Sequence, residues 1–225
     1  MRAHPLALAL TLFALSSCAY RPGDVGIDNP FYRKVAWFSF VEGEDIKSSC
    51  TPGRDHYRLV YNGNYEEQVR IYEIQPEPGG RAAMSARVLG PGNLTKITSD
   101  DFLAPWRGKG AQTMLNQSDT ERLVKSLDQG GAFGPAAVGL EMRSEEHFWT
   151  AATCRDGRYT FTAWLFPSPR YDAMGFEKVL LALDTTGVAY NPPRRFIPTG
   201  ERDNQIREGG VISFRLKVGR QGLAS

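Results

Sequence analysis

Three cysteines in a chain of 225 residues, at positions 18, 50 and 154, constrain the fold more than any other feature. An odd number cannot pair off within one chain, so one of them has another fate. Cys18 is set apart by what precedes it. The stretch LALALTLFAL (Leu6 to Leu15) is a ten-residue apolar run with Arg2 ahead of it and the small residues Ser16 and Ser17 behind it. That is the layout of a secretory signal peptide over residues 1–17. The run is too short to span a bilayer as a helix, which takes about 20 apolar residues. No other uninterrupted apolar stretch approaches its length, so the rest of the chain is not expected to be an integral membrane protein.

The residues Leu15-Ser16-Ser17-Cys18 sharpen this. An aliphatic residue, two small residues and a cysteine resemble the lipobox of bacterial lipoproteins. The resemblance covers residues 1–18 and implies a processing class, not a fold. It implies cleavage before Cys18, diacylglycerol on its sulfur and acylation of the new amino terminus. Several acyl chains make anchoring stable where one would be marginal, since each buried CH₂ contributes about 0.8 kcal/mol. Ala19, rather than Asp, follows the cysteine, which in that family resembles export to the outer membrane, facing the periplasm. The alternative is an ordinary signal peptide cut elsewhere, with Cys18 incidental. Residues 18–30 then form a lipidated tether, with Gly and Pro spread through Ala19 to Pro30; twelve residues reach at most about 40 Å.

With Cys18 assigned to lipid, Cys50 and Cys154 remain as an even pair in an oxidising compartment, and one disulfide is the economical expectation. Two free buried thiols are the alternative. Neither cysteine has a CxxC partner, which argues against a zinc knuckle or a thioredoxin-like motif. CTPGRDHYRLVY and CRDGRYTFTAWL each run from a cysteine through a Gly-Arg turn into a β-type segment. Two such corners are suited to lie beside one another on one sheet.

Local patterns then predict an α+β fold, a mostly antiparallel sheet with about two helices, forming one disulfide-stapled domain over residues 31–225. Lys34 to Gly43, rich in aromatic residues, reads as a buried strand. Asn62-Gly63 reads as a tight hairpin turn between two runs, the second only partly covered because neither of its faces is purely apolar. Residues 82–89 and 94–98 are weaker strand candidates. Ser118 and Glu121 match a capping box opening a helix with Leu123, Val124 and Leu127 on one face and Gly130 at its end. GAFGPAAVG (131–139) lacks a phosphate-loop pattern and reads as a connector. Residues 137–167 hold two or three strands with Asp156-Gly157 as a hairpin turn. The stretch from Tyr171 reads as the second helix, with Phe176, Val179, Leu180 and Leu183 on one face and Gly187 after its end. Residues 209–219 close the chain as a strand.

Chemistry is sparsely marked. Beyond the signal segment two histidines remain, His56 and His147, each a candidate general base beside Asp55 or Glu146. Neighbours on a strand point to opposite faces, so adjacency does not imply a hydrogen bond. There is no GxSxG elbow and no HExxH helix, and two histidines 91 residues apart carry no ligand spacing; neither a cofactor nor a metal is expected. Of four tryptophans, Trp37, Trp149 and Trp164 sit in strand-like segments and read as core. Trp106, in LAPWRGKG, is flanked by Pro, Arg and Lys and is the candidate ligand-binding residue. A formal charge of +2 without long runs of one sign gives no support to nucleic-acid binding. Seven basic against three acidic residues from Asn191 onward are suited to anionic lipid or polymer, or simply to a solvated chain end. The expectation is an outer-membrane-anchored lipoprotein, attached to the membrane through its lipid, that binds or supports an envelope protein or polymer without catalysis. A hydrolase of the envelope using His56 or His147 is the alternative.

Overall fold

In the computed structural model the described residues are 20, 27, 29–91, 100, 106, 108–197 and 212–224. Residues 1–17, read above as a signal peptide, Cys18, the strand candidate at 94–98 and much of the basic carboxy-terminal stretch lie outside them. Six strands form one antiparallel sheet: β1 (His56–Gly63), β2 (Val69–Pro76), β3 (Ala82–Leu89), β4 (Lys109–Leu115), β6 (His147–Arg155) and β7 (Arg158–Leu165). Their order is β4-β3-β2-β1-β6-β7. The short strands β5 (Glu141–Arg143) and β8 (Arg215–Lys217) pair separately. Five helices are described: α1 (Pro30–Glu42), α2 (Glu44–Ser49), α3 (Gln117–Gln129), α4 (Pro169–Ala173) and α5 (Phe176–Leu183). The α+β class and the antiparallel sheet are as expected, with more helices than the two anticipated.

Both faces of the central strands are covered. On one face Tyr57, Leu59, Tyr72, Ile74 and Trp149 meet Leu123 and Leu127 of α3 and Phe176 and Leu180 of α5. On the other, Val60, Ile71, Phe148, Ala152 and Phe161 meet Trp37, Phe40 and Val41 of α1 and Ile46 of α2. Period-two alternation therefore separates two cores rather than core from solvent. This corrects the expectation of a half-covered β2, whose first four residues are all buried. The charges that suggested exposure are neutralised inside. Arg58 donates to both carboxylate oxygens of Asp45 at 2.8 Å, to Glu73 at 2.5 Å and to the Phe40 carbonyl at 2.8 Å. Arg70 donates to Asp184 at 2.6 Å, where the Tyr72 hydroxyl also bonds.

The predicted strand over Lys34 to Gly43 is helix α1. Its buried residues Ala36, Trp37, Phe40 and Val41 recur with helical spacing. The start is marked by Asn29, whose side chain accepts from the Tyr32 amide at 3.3 Å, followed by Pro at the first helical position. Gly43 ends it with φ of 71°, and a Cβ there would lie 2.5 Å from that of Ala152. The α1–α2 corner is thereby free to press onto β6.

The first hairpin exists, but its turn is displaced. Asn62 and Gly63 belong to β1, Asn62 pairs with Val69, and Asn64 takes the positive φ of 60° in a longer loop. Asn62 is held in the strand by its side chain, which donates to the Ser144 and Glu146 carbonyls. The turn at Asp156-Gly157 is as read, with φ of 52° and 75°. Helix α3 is capped by Asn116, whose side chain accepts from the Asp119 amide at 2.9 Å, and not by Ser118. The predicted second helix is split into α4 and α5 at Gly175, φ 67°. At its end the chain adds only three strand residues, β8, on β5. Strand β4 was not anticipated: KGAQTML is half polar because β4 lies at the sheet edge.

The disulfide Cys50–Cys154 is present with Cα atoms 5.5 Å apart. It joins the end of α2 to the end of β6, beside the pair His56↔Cys154. The two cysteine-led corners thus meet, with β1 and β7 flanking β6. Closing a loop of 104 residues contributes roughly 4.7 kcal/mol in the chain-entropy account.

Candidate functional site

The strand ends at Val69 and Leu89, one flank of α1 and the segments carrying Trp106 and Ile212 surround a depression of about 350 Å³. Val69 and Leu89 form its buried floor, being the first residue of β2 and the last of β3, paired in register. Tyr65 and half-buried Trp106 supply aromatic walls, and Arg33 and Glu66 supply one charge of each sign. Tyr65 is fixed by edge-on contact with Trp37, ring centroids 5.2 Å apart, and with Phe214 at 5.0 Å. Glu66 accepts the Ile212 amide at 2.8 Å, which ties the carboxy-terminal segment to the rim. The site therefore combines an apolar floor with opposed polar groups, the composition of a small-ligand or side-chain pocket.

Trp106 was singled out by its flanking residues, and the structure places it on this depression. Arg33, Tyr65 and Glu66 were not anticipated; they lie far apart in sequence and meet only through the fold. The other tryptophans are core: Trp37, Trp149 and Trp164 are all buried, Trp37 on α1 rather than on a strand.

The two histidines are separated. His56, on the α1 face of the sheet, meets Glu73 across the strand pair at 2.5 Å. Asp55 is engaged elsewhere, accepting from the Tyr57 hydroxyl and the Asp156 amide. His147 is buried at 2% exposure with neither ring nitrogen hydrogen-bonded. Burial, followed by the nearby Arg194 charge, holds its pKa below the usual histidine value. Its neighbour Glu146 bonds the Arg143 amide instead. Among the described residues no hydroxyl or thiol bonds either imidazole, and no three His, Cys, Asp or Glu side chains cluster to hold a metal.

Glu177 is structural in its bonding. One carboxylate oxygen of Glu177 accepts Trp149 Nε1 at 3.1 Å and the hydroxyls of Tyr171 and Tyr190 at 2.8 Å each. These bonds lock α4 and α5 to the sheet and leave that oxygen saturated. Among the described residues no helix is long and apolar enough to cross a membrane. No protein-family model matches the chain, and no curated protein matches it.

Proposed function

We propose that the protein is a lipid-anchored envelope lipoprotein that works by binding, with Cys18 as its lipidated amino terminus and the Trp106 depression as its contact site. The observation that carries the binding role is the convergence of Trp106, Tyr65, Val69 and Leu89 on one depression that also holds Arg33 and Glu66. Such a surface suits an apolar group of an envelope protein or polymer whose polar flanks meet the two charges. The outer membrane, facing the periplasm, is the compartment that the lipobox and Ala19 suggest, and the disulfide is consistent with an oxidising one.

Crosslinking of the anchored protein in its native envelope, with wild type and Trp106→Ala compared, tests this. Loss of specific crosslinked species in the variant is expected. Identical partner profiles would remove the Trp106 depression as the contact site.

A further inference from the structure

The amino-terminal segment is attached to the folded part much closer to Cys18 than a flexible tether requires. The Tyr20 amide donates to the Ser39 hydroxyl of α1 at 2.8 Å, and that hydroxyl in turn donates to the Ala36 carbonyl. The Tyr20 ring stands edge-on to Phe40 with centroids 4.9 Å apart, and the Arg58 guanidinium lies 5.3 Å from its centre. Ile27, 3% exposed, belongs to the same apolar cluster as Phe40. Tyr20 follows Cys18 by two positions in the sequence, a reach of about 7 Å. That is less than the roughly 10 Å diameter of a helix with its side chains.

The outer side of α1 has an unusual composition for a surface. Val35 is 55% and Phe38 41% exposed, with exposed Lys34 beside them and the Phe38 ring edge-on to Phe214 at 5.7 Å. Val35 stands one turn before Ser39, on the same row of the helix as the Tyr20 attachment. No acidic residue occupies the first turn of α1.

From these contacts we propose that α1 is a membrane-docking helix: its Val35–Phe38 side rests on the phospholipid surface into which the Cys18 acyl chains insert. This rests on Cys18 being the anchor. An anchor within two residues of the helix flank holds that flank at the lipid interface. Apolar side chains bordered by Lys34 then enter the headgroup region, where burial of Val and Phe and attraction of the lysine to phosphate act together. The folded part consequently lies against the bilayer through α1, with α3 and α5, on the opposite sheet face, turned away.

The test supplies the anchor chemically, so it does not depend on native acylation. The chain from Cys18 onward, with Cys50–Cys154 oxidised, is coupled through Cys18 to a maleimide phospholipid in phosphatidylethanolamine/phosphatidylglycerol vesicles. Hydroxyl-radical labelling is then compared with that of the uncoupled chain. Labelling at Val35 and Phe38 is expected to fall several-fold on coupling, while the 117–129 peptide of α3 stays unchanged. Tyr20→Ala, coupled in the same way, is expected to recover labelling towards the free value. Equal labelling of Val35 and Phe38 in coupled and free protein would overturn the proposal. So would equal protection of α3, or full protection retained in Tyr20→Ala.

Discussion

Arg58 and His147 represent opposite ways of burying a basic side chain. Arg58 is 2% exposed, and burial alone disfavours its charge, but Glu73 and Asp45 outweigh that cost and raise its pKa above the ordinary arginine value. Such a group specifies how α2, β1 and β2 fit together, because no apolar neighbour replaces its four hydrogen bonds. In the sequence these charges suggest solvent; only the register Arg58↔Glu73 shows that they neutralise one another. His147 has no such partners. It packs near Tyr61 on β1, with Arg194 and Glu67 the charged groups acting on it. Its folded-state pKa lies below the unfolded value of 6.5, so the unfolded chain takes up the proton first as pH falls. The stabilisation is therefore complete above about pH 6.5 and is lost as pH falls through the folded-state value. Unfolding free energy measured from pH 7.5 to pH 5 is expected to fall on acidification in wild type and to fall less in His147→Phe. Equal slopes would show that His147 does not contribute.

At the scale of elements, what was legible followed backbone chemistry. Asp156-Gly157 is readable because a two-residue hairpin needs positive φ at both positions, which this pair adopts readily. The same logic misplaced the first turn, because the Asn62 side chain is engaged by the carbonyls of the 144–146 loop. Helix α1 was hidden by aromatic and β-branched residues whose strand preference is context-dependent. The Asn-Pro start and the i, i+4 recurrence of Ala36 with Phe40, and of Trp37 with Val41, were the readable signals for it. For α3 the capping residue lies two positions earlier than the S-x-x-E pattern suggests. Replacing Asn116 by Ala is expected to cost about 1 kcal/mol of stability in denaturant unfolding. Ser118→Ala, a change on the helix surface, is expected to stay within roughly 0.5 kcal/mol. The reverse order would restore Ser118 as the cap.

At the scale of the whole molecule, a six-stranded sheet sandwiched between two helical layers holds an aromatic depression beside α1 and closes its α1 side with a disulfide. The disulfide was legible because setting Cys18 aside, on its resemblance to a lipobox cysteine, left a pair. Trp106 was legible as a loop tryptophan, whereas Arg33, Tyr65 and Glu66 carry no local pattern and reach the depression only through helix and strand packing. In the proposed function this depression is joined to a membrane through one atom, the Cys18 sulfur. Intact-mass analysis of the protein extracted with detergent from a bacterial envelope tests that junction most directly. The expected mass is that of the chain beginning at Cys18 with a diacylglyceryl group on the sulfur and an acyl group on the amino terminus. A mass matching an unacylated chain, or one beginning at another residue, would contradict it.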